Sequence, residues 1–288
     1  MAQGGSRVMQ QRRLRSELRR LRESAGYTQK TAAAGLEWST SKIIRIETGA
    51  VHVSSSDVRA LLHFYDISDQ LKTEDLLAIS RAKEEAWWDA YRSAYRPQFL
   101  EYLDYEDSAT HVRQFISFVV PGLLQTEEYM RALFQGYMGN DEEWIERAVQ
   151  VRKRRQQILA PDSGKRAWFI IDEAALHRWI GGPAVTRRQF DRLREMSKQP
   201  NINIRLVPFS VGMHPGMRAS FTILDFASDD EDSIVSVENP DSDALIKDNF
   251  DSTSEFIARF SLIEDIATPE EEIDAALDAV IDRMRLAT

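Results

Sequence analysis

Four polar side chains stand within six residues of one another: Thr40, Ser41, Lys42 and Arg45. Hydroxyls and a guanidinium can hydrogen-bond base edges, and ammonium or guanidinium groups neutralise phosphates, so this cluster has the chemistry of nucleic-acid contact. Such contact needs a rigid support. The surrounding stretch, YTQKTAAAGLEWSTSKIIRIETG from Tyr27 to Gly49, reads as two short helices joined by a tight turn. Thr28 offers a side-chain cap to the first helix, Ala32 and Ala33 are small enough for a second helix to cross closely, and Leu36 closes it. Glu37, Trp38 and Ser39 form the turn, and Ser39 or Thr40 caps the second helix. Ile43 and Ile46, at i and i+3, face inward and leave Thr40, Ser41, Lys42 and Arg45 outside. Gly49 ends the unit. The alternative is an ordinary helical hairpin with a solvated polar face.

The pattern is similar to the phage-repressor type of helix-turn-helix, the XRE-like type. The residues that carry the likeness are Tyr27-Thr28-Gln29, Ala33 and Ile43 to Gly49. The resemblance implies that Gln29 starts the supporting helix and binds a phosphate. It also implies that Thr40, Ser41 and Arg45 reach bases, that Lys42 meets a phosphate, and that Thr28 and Ser39 complete the DNA-facing set. Glu37 departs from the type, which commonly has glycine there, and Trp38 adds a large aromatic to the turn.

Charge is distributed unevenly. Residues 1–65 hold eleven Lys or Arg against five Asp or Glu, a net +6, while the whole chain is −9, which leaves −15 for the remainder. A basic head on an acidic body suits phosphate binding through the head alone. Arg7, Arg12, Arg13, Arg15, Arg19, Arg20 and Arg22 lie on a helix whose apolar stripe is Leu14, Leu18 and Leu21, so the arginines are expected to face water or DNA. A solvated arginine face is the plainer reading.

A length of 288 residues suits two domains, and 43% hydrophobic with 29% charged residues is an ordinary globular composition. The chain has no cysteine, which excludes disulfides, zinc-thiolate sites and thiol catalysis. No apolar run is long enough to span a membrane and the polar start does not resemble a signal peptide, so a cytoplasmic protein is expected. No internal repeat or low-complexity tract stands out.

The first domain is placed at residues 1–68, its last helix bearing Val58, Leu61, Leu62 and Tyr65. A helical pattern from Thr73 to about Tyr95, stopped at Arg96-Pro97, reads as a connecting helix within 69–97. Its Trp87-Trp88 pair suits packing or an aromatic cage. From 98 to 288, Phe115–Val120, Ala167–Ile171, Ile202–Val207, Phe221–Phe226 and Ile234–Val237 have strand character. Helices are expected after Gln125, around Glu143–Leu159 and at Thr186–Ser197, with Gly181-Gly182-Pro183 a loop. Thr268-Pro269-Glu270-Glu271 reads as a capping box before a final helix carrying Ile273, Leu277, Val280, Ile281 and Met284. The expectation is a multidomain chain: an all-α helix-turn-helix domain followed by a mixed α/β (α+β) domain.

Four phrases extend the likeness: FVVPGLLQTEEYMRALF at 118–134, RKRRQQIL at 152–159, FIIDEAALHR at 169–178 and NINIRLVPFSVGMHPGMRASFTILDF at 201–226. From about Trp88 onward they resemble the DUF5753 domain of actinobacterial regulators, also described as the Scr1 family of toxin-antitoxin-like regulators. This resemblance implies a transcription regulator whose second domain answers to a signal or partner. The expected partner is a small DUF397-type protein encoded nearby, and the DNA partner is a near-palindromic operator bound by a homodimer. An antitoxin-like protein that sequesters its partner and binds DNA for autoregulation is the alternative.

Catalysis finds little support in the residues. Glu173 and His177, at i and i+4, suit a metal or an ion pair, but no HExxH completes a site. Asp172 follows a strand, and His214 sits in the loop GMHPG, where it can shape a pocket or simply serve the turn. Phosphate-loop, dinucleotide and nucleophile-elbow motifs are lacking, and neither cofactor nor metal is expected. Arg152 and Arg154 in VQVRKRRQQIL suit a solvated helix face, a second DNA contact or the docking of an acidic partner.

Overall fold

The computed structural model describes residues 7–49, 51–81, 86–227, 233–239, 244–247 and 249–286. Two compact units divide the chain, residues 1–91 and 92–288.

Five helices build the first unit among the described residues: α1 (Arg7–Ser24), α2 (Gln29–Gly35), α3 (Thr40–Thr48), α4 (Ser55–Phe64) and α5 (Gln70–Arg81). Leu14, Leu18 and Leu21 of α1 are buried together with Ala32, Ala33, Ile43, Ile46, Val58, Leu61 and Leu62. Side-chain caps start three of these helices: Thr28 Oγ1 accepts the Thr31 N–H at 3.1 Å, Ser39 Oγ that of Lys42 at 3.2 Å, and Ser54 Oγ that of Asp57 at 3.1 Å. Gly49 closes α3 in the left-handed region, at φ +76°, and Glu37 turns the chain between α2 and α3 at φ +55°.

Two expectations need correction here. The helix expected to connect the domains is not one piece. Leu76, Leu77 and Ile79 of α5 join the first unit's core, because its apolar stripe packs on α1 and α4. Next described is a short 3-10 turn, Trp87–Tyr91, whose tryptophan rings meet edge to face at 5.3 Å, with residues 82–85 outside the described set. Nor do all the α1 arginines face outward. Arg12 and Arg22 are buried, because α1 packs against α3, α4 and α5 and so is covered on more than its leucine face. Arg13, Arg19 and Arg20 pair with Asp75, Glu23 and Glu17, and the side chain of Arg7 lies outside the described residues.

The second unit runs α6 (Pro97–Ser108), β1 (His111–Ile116), α7 (Glu127–Met138), α8 (Glu142–Gln156), β2 (Arg166–Asp172), α9 (Glu173–Leu176), α10 (Gly182–Ser197), β3 (Ile202–Val207), β4 (Phe221–Asp225), β5 (Ile234–Val237), β6 (Ala244–Ile246), α11 (Phe250–Glu264) and α12 (Ile273–Leu286). Its described strands form one sheet in the order β3-β2-β1-β4-β5-β6. β1, β2 and β3 are parallel, joined by helical crossovers, while β4, β5 and β6 add antiparallel to the other flank of β1. This is a mixed sheet with helices, the α+β class expected. Phe115 stands opposite both Ile170 and Phe221, and these residues pack with Ile223, Val235 and the α11 residues Phe260 and Ile263 into one core.

Proline and threonine take unexpected roles. Pro97 opens α6, since its fixed φ suits a first turn. Gly182 begins α10 with Pro183 in its first turn, so only Gly181, left-handed at φ +75°, remains as the loop. Thr268 forms no capping box. It extends the ladder of β3 instead, giving its N–H to the Leu206 carbonyl at 2.8 Å and accepting the Leu206 N–H on Oγ1 at 3.1 Å. A 3-10 turn, Glu270–Glu272, precedes α12.

Candidate nucleic-acid interface and a cavity in the second unit

In the first unit, one buried ion pair holds the helices that carry the DNA-facing residues. Arg22 of α1 reaches Glu47 of α3 with Nε at 2.6 Å and Nη2 at 3.0 Å, and its Nη1 donates to the Tyr27 carbonyl at 2.7 Å. Gln29 Nε2, at the start of α2, donates to the same Glu47 carboxylate at 2.8 Å. Three helices thus meet at Glu47, and the Arg22 guanidinium is held above its ordinary pKa, chiefly by its hydrogen bonds to that carboxylate.

α3 presents Thr40, Ser41, Ile44, Arg45 and Thr48 to solvent, while Ile43 and Ile46 are buried beneath. Arg45 Nε donates to the Ser41 carbonyl at 3.3 Å, which lays the guanidinium along the outer face. Thr28 and Ser39 are exposed at the helix starts but spend a lone pair each on capping. Gln29, with a phosphate role implied, is half-buried and tied to Glu47. Lys42 is also engaged: Nζ lies 2.6 Å from Asp57 Oδ1 and 3.6 Å from the centre of the Trp38 ring. Burial pushes the Asp57 carboxyl up, but bonds from Lys42 and Ser54 outweigh it and hold Asp57 below the usual carboxylate range.

Ile44, absent from the residues expected at the interface, is an exposed aliphatic side chain at 40% of its full surface, beside the polar quartet. Its position next to the inward Ile43 was the available signal, and apolar contact with a thymine methyl is the chemistry it offers. Lys30 and Arg59 are further exposed cations on this unit.

In the second unit the predicted candidates separate. Arg152 is turned inward: Nη1 donates to Gln125 Oε1 at 2.6 Å, and the guanidinium lies 4.5 Å over the Phe134 ring. Burial, with the charge of Arg155, pulls it down to about 10. Arg155 forms two 2.7 Å bonds to the buried Glu106, which also accepts from Tyr102 at 2.8 Å. Lys153 and Arg154 alone are exposed in this run, so the expected basic coat is half of what the sequence suggested. The reason is packing of α8 on the segment around Gly122 and on α7, which covers a second side of the helix.

Glu173 and His177 do pair, Oε1 to Nε2 at 2.9 Å, although Glu173 is buried rather than at the surface. Its oxygens also accept the Phe209 N–H at 2.9 Å and Arg283 Nε at 3.0 Å. Burial pushes Glu173 up, but those donors outweigh it and keep it below the usual carboxylate range. Among the described residues, no three His, Cys, Asp or Glu side chains gather as a metal site.

His214 has a partner 42 residues away in the sequence. Its Nε2 lies 3.0 Å from Asp172 Oδ2, and Asp172 Oδ1 accepts the Ala174 N–H at 2.8 Å. The imidazole edge rests on Phe115, ring centres 5.9 Å apart. Asp172 and His214 line a cavity of about 220 Å³ together with Ser117, Phe118, Arg178 and Phe209. A larger cavity of about 400 Å³ lies at the amino ends of β2 and β3, lined by Arg166, Asn201 and Glu270 among others.

A basic helical bundle presenting a capped helix, fused to an α+β domain, defines a DNA-binding regulator of the helix-turn-helix class. A family model described as a helix-turn-helix domain matches residues 13–74, and one described as a domain of unknown function, DUF5753, matches residues 99–278. The chain belongs to the DUF5753 family. No curated protein matches it. No described helix is long and apolar enough to cross a membrane.

Proposed function

We propose that this chain is a sequence-specific transcription regulator that binds a near-palindromic operator as a cytoplasmic homodimer. Its second unit answers to a small ligand or to a DUF397-type protein encoded nearby, without catalysing a reaction. The observation that carries the reading is the outer face of α3, where Thr40, Ser41, Ile44 and Arg45 are exposed together on a helix capped at both ends. Exposed hydroxyls, an aliphatic group and a guanidinium match the donor, acceptor and methyl pattern of a major groove. A single helix reads few base pairs, which favours a two-fold dimer with two half-sites about one helical turn apart.

The test is fluorescence anisotropy of the full chain with DNA from immediately upstream of its own gene, against a scrambled duplex, with and without the neighbouring gene's small product. Preference for the upstream DNA that changes with that product supports the regulator. Arg45→Ala is expected to reduce discrimination by about 1 to 3 kcal/mol. Salt-sensitive binding without preference sinks the sequence-specific reading. Capture of the small product with operator affinity unchanged turns it toward an antitoxin-like protein.

A further inference from the structure

The carboxyl end of the parallel strands displays apolar side chains. Three segments meet there, residues 117–126 after β1, 174–190 after β2 and 208–220 after β3, since Phe118, Arg178, Phe209 and Met217 line the one cavity of about 220 Å³. Among the described residues of the second unit eight large apolar side chains are exposed, and five of them, Phe118, Trp179, Phe209, Met213 and Met217, belong to these segments. Their exposure runs from 38% to 93%. Single apolar side chains are ordinary at a surface, whereas five at one end of a sheet mark a contact face.

The loop 208–220 is built for this display. Its polar and small members are the ones turned inward: His214 is buried on Asp172, and a β-carbon at Gly216 would stand 2.4 Å from the Phe115 ring. Phe209, Met213 and Met217 are left outside, the reverse of a loop that merely joins two strands. The Phe209 ring is fixed further by stacking on His177, ring centres 5.1 Å apart. A second hollow, of about 100 Å³, is lined by Trp179, Arg187 and Met284, and Trp179 directly follows Arg178 of the first. Two neighbouring hollows on an apolar face suit two side-chain anchors of a protein partner.

Charge indicates which partner. Residues 92–288 hold 23 Lys or Arg against 34 Asp or Glu, a net −11, yet none of those acids and no lysine falls in the three segments. Arg178, Arg187, Arg188 and Arg218 do, and all four are exposed. Arg178 is held on the Phe118 carbonyl and Arg188 on Glu128, which leaves Arg187 and Arg218 to meet a partner. The two carboxylates at the end of β2, Asp172 and Glu173, are buried against His214 and His177. Aromatic, methionine and arginine side chains without lysine or acid are the composition of a protein–protein interface. A second copy of the same face would set arginine against arginine, and a nucleic acid would meet a unit of net negative charge.

We propose that this face docks an acidic amphipathic segment of another protein, whose apolar side chains enter the two hollows and whose carboxylates meet Arg187 and Arg218. The inference rests on the regulator reading, in that it gives the partner of the second unit a chemistry and a place to bind.

The full chain is used to select from a displayed library of random 16-residue peptides, and the strongest peptide is measured by fluorescence anisotropy. Enriched peptides are expected to carry Leu, Phe or Trp at helical spacing with an excess of Asp and Glu. The double variant Met213→Ser, Met217→Ser, altered at exposed positions so that its urea midpoint stays at the wild-type value, should bind at least about tenfold more weakly. Arg187→Glu with Arg218→Glu should weaken binding as much and turn a repeated selection toward peptides bearing Lys and Arg. No binder below about 1 mM, peptides without an acidic excess, or equal binding in either double variant overturns the proposal. So does a 16-nucleotide dT strand whose affinity falls in the arginine variant while no peptide binds, or a dimer that dissociates in the methionine variant, which would make the face an interface between copies. Operator binding is measured on the same sample: its presence without peptide binding rejects this inference alone, and its absence rejects the regulator reading.

Discussion

Arg22 and Glu47, 25 residues apart, form a two-bond ion pair at 2.6 and 3.0 Å with side chains only 7% and 5% exposed. Removing one member of a buried pair leaves the other charge desolvated and unmatched. Glu47→Ala is therefore expected to destabilise the first unit by about 3 to 5 kcal/mol, read by urea denaturation. Replacing both with Arg22→Met and Glu47→Leu should recover most of the loss. A loss under about 1 kcal/mol in the single variant would place the pair among surface bridges instead.

Lys42 is restrained by Asp57, which changes what mutation of either residue should do. Asp57→Asn releases the ammonium for phosphate, so affinity for all DNA sequences should rise and the slope of log K against log salt should steepen by about one ion. In the wild-type background Lys42→Ala should alter that slope by less than one. An unchanged slope in Asp57→Asn rejects a phosphate role for Lys42.

Glu37 holds the turn between α2 and α3 at φ +55°, where a β-carbon is disfavoured. Glu37→Gly relieves that cost but loosens the unfolded chain, a balance of about 0.5 to 1 kcal/mol in favour of the variant. Thermal unfolding of the two proteins decides it, and a lower midpoint for the glycine variant contradicts the expectation.

Glu173 supplies a pH dependence. Because its folded pKa is depressed, the stability it contributes is full above its unfolded value of about 4.3 and is lost as pH falls through the lower folded value. Glu173→Gln should thus show its largest deficit near neutrality, and the gap to wild type should narrow below about pH 4. Urea midpoints of the second unit at a series of pH values test this. A gap that is constant across the series assigns the deficit to packing.

The final helix, from Ile273 onward, and β3 are legible in the sequence because each buries one face with a regular period, and β5 because it is a short β-branched run, buried at three successive residues. α6 is not legible in the sequence, because Pro97 can end a helix as well as stand in the first turn of one. α11 does carry a signal, Phe256, Phe260 and Ile263 at helical spacing, whereas the three-residue β6 is too short to show alternation. In the candidate interface, the exposure of Thr40, Ser41 and Arg45 could be foreseen from the positions of Ile43 and Ile46 alone.

By itself the sequence determined the helix-turn-helix, its caps, the basic head and the mixed class of the second domain, because those depend on residues a few positions apart. Tertiary structure alone decided which polar groups meet. The contacts of Lys42 with Asp57, Arg155 with Glu106, Asp172 with His214 and Glu173 with Arg283 span from 15 to 110 residues. Partners at such separations are chosen by strand order and helix packing, which bring distant charges into a shared desolvated space where leaving either one alone is costly.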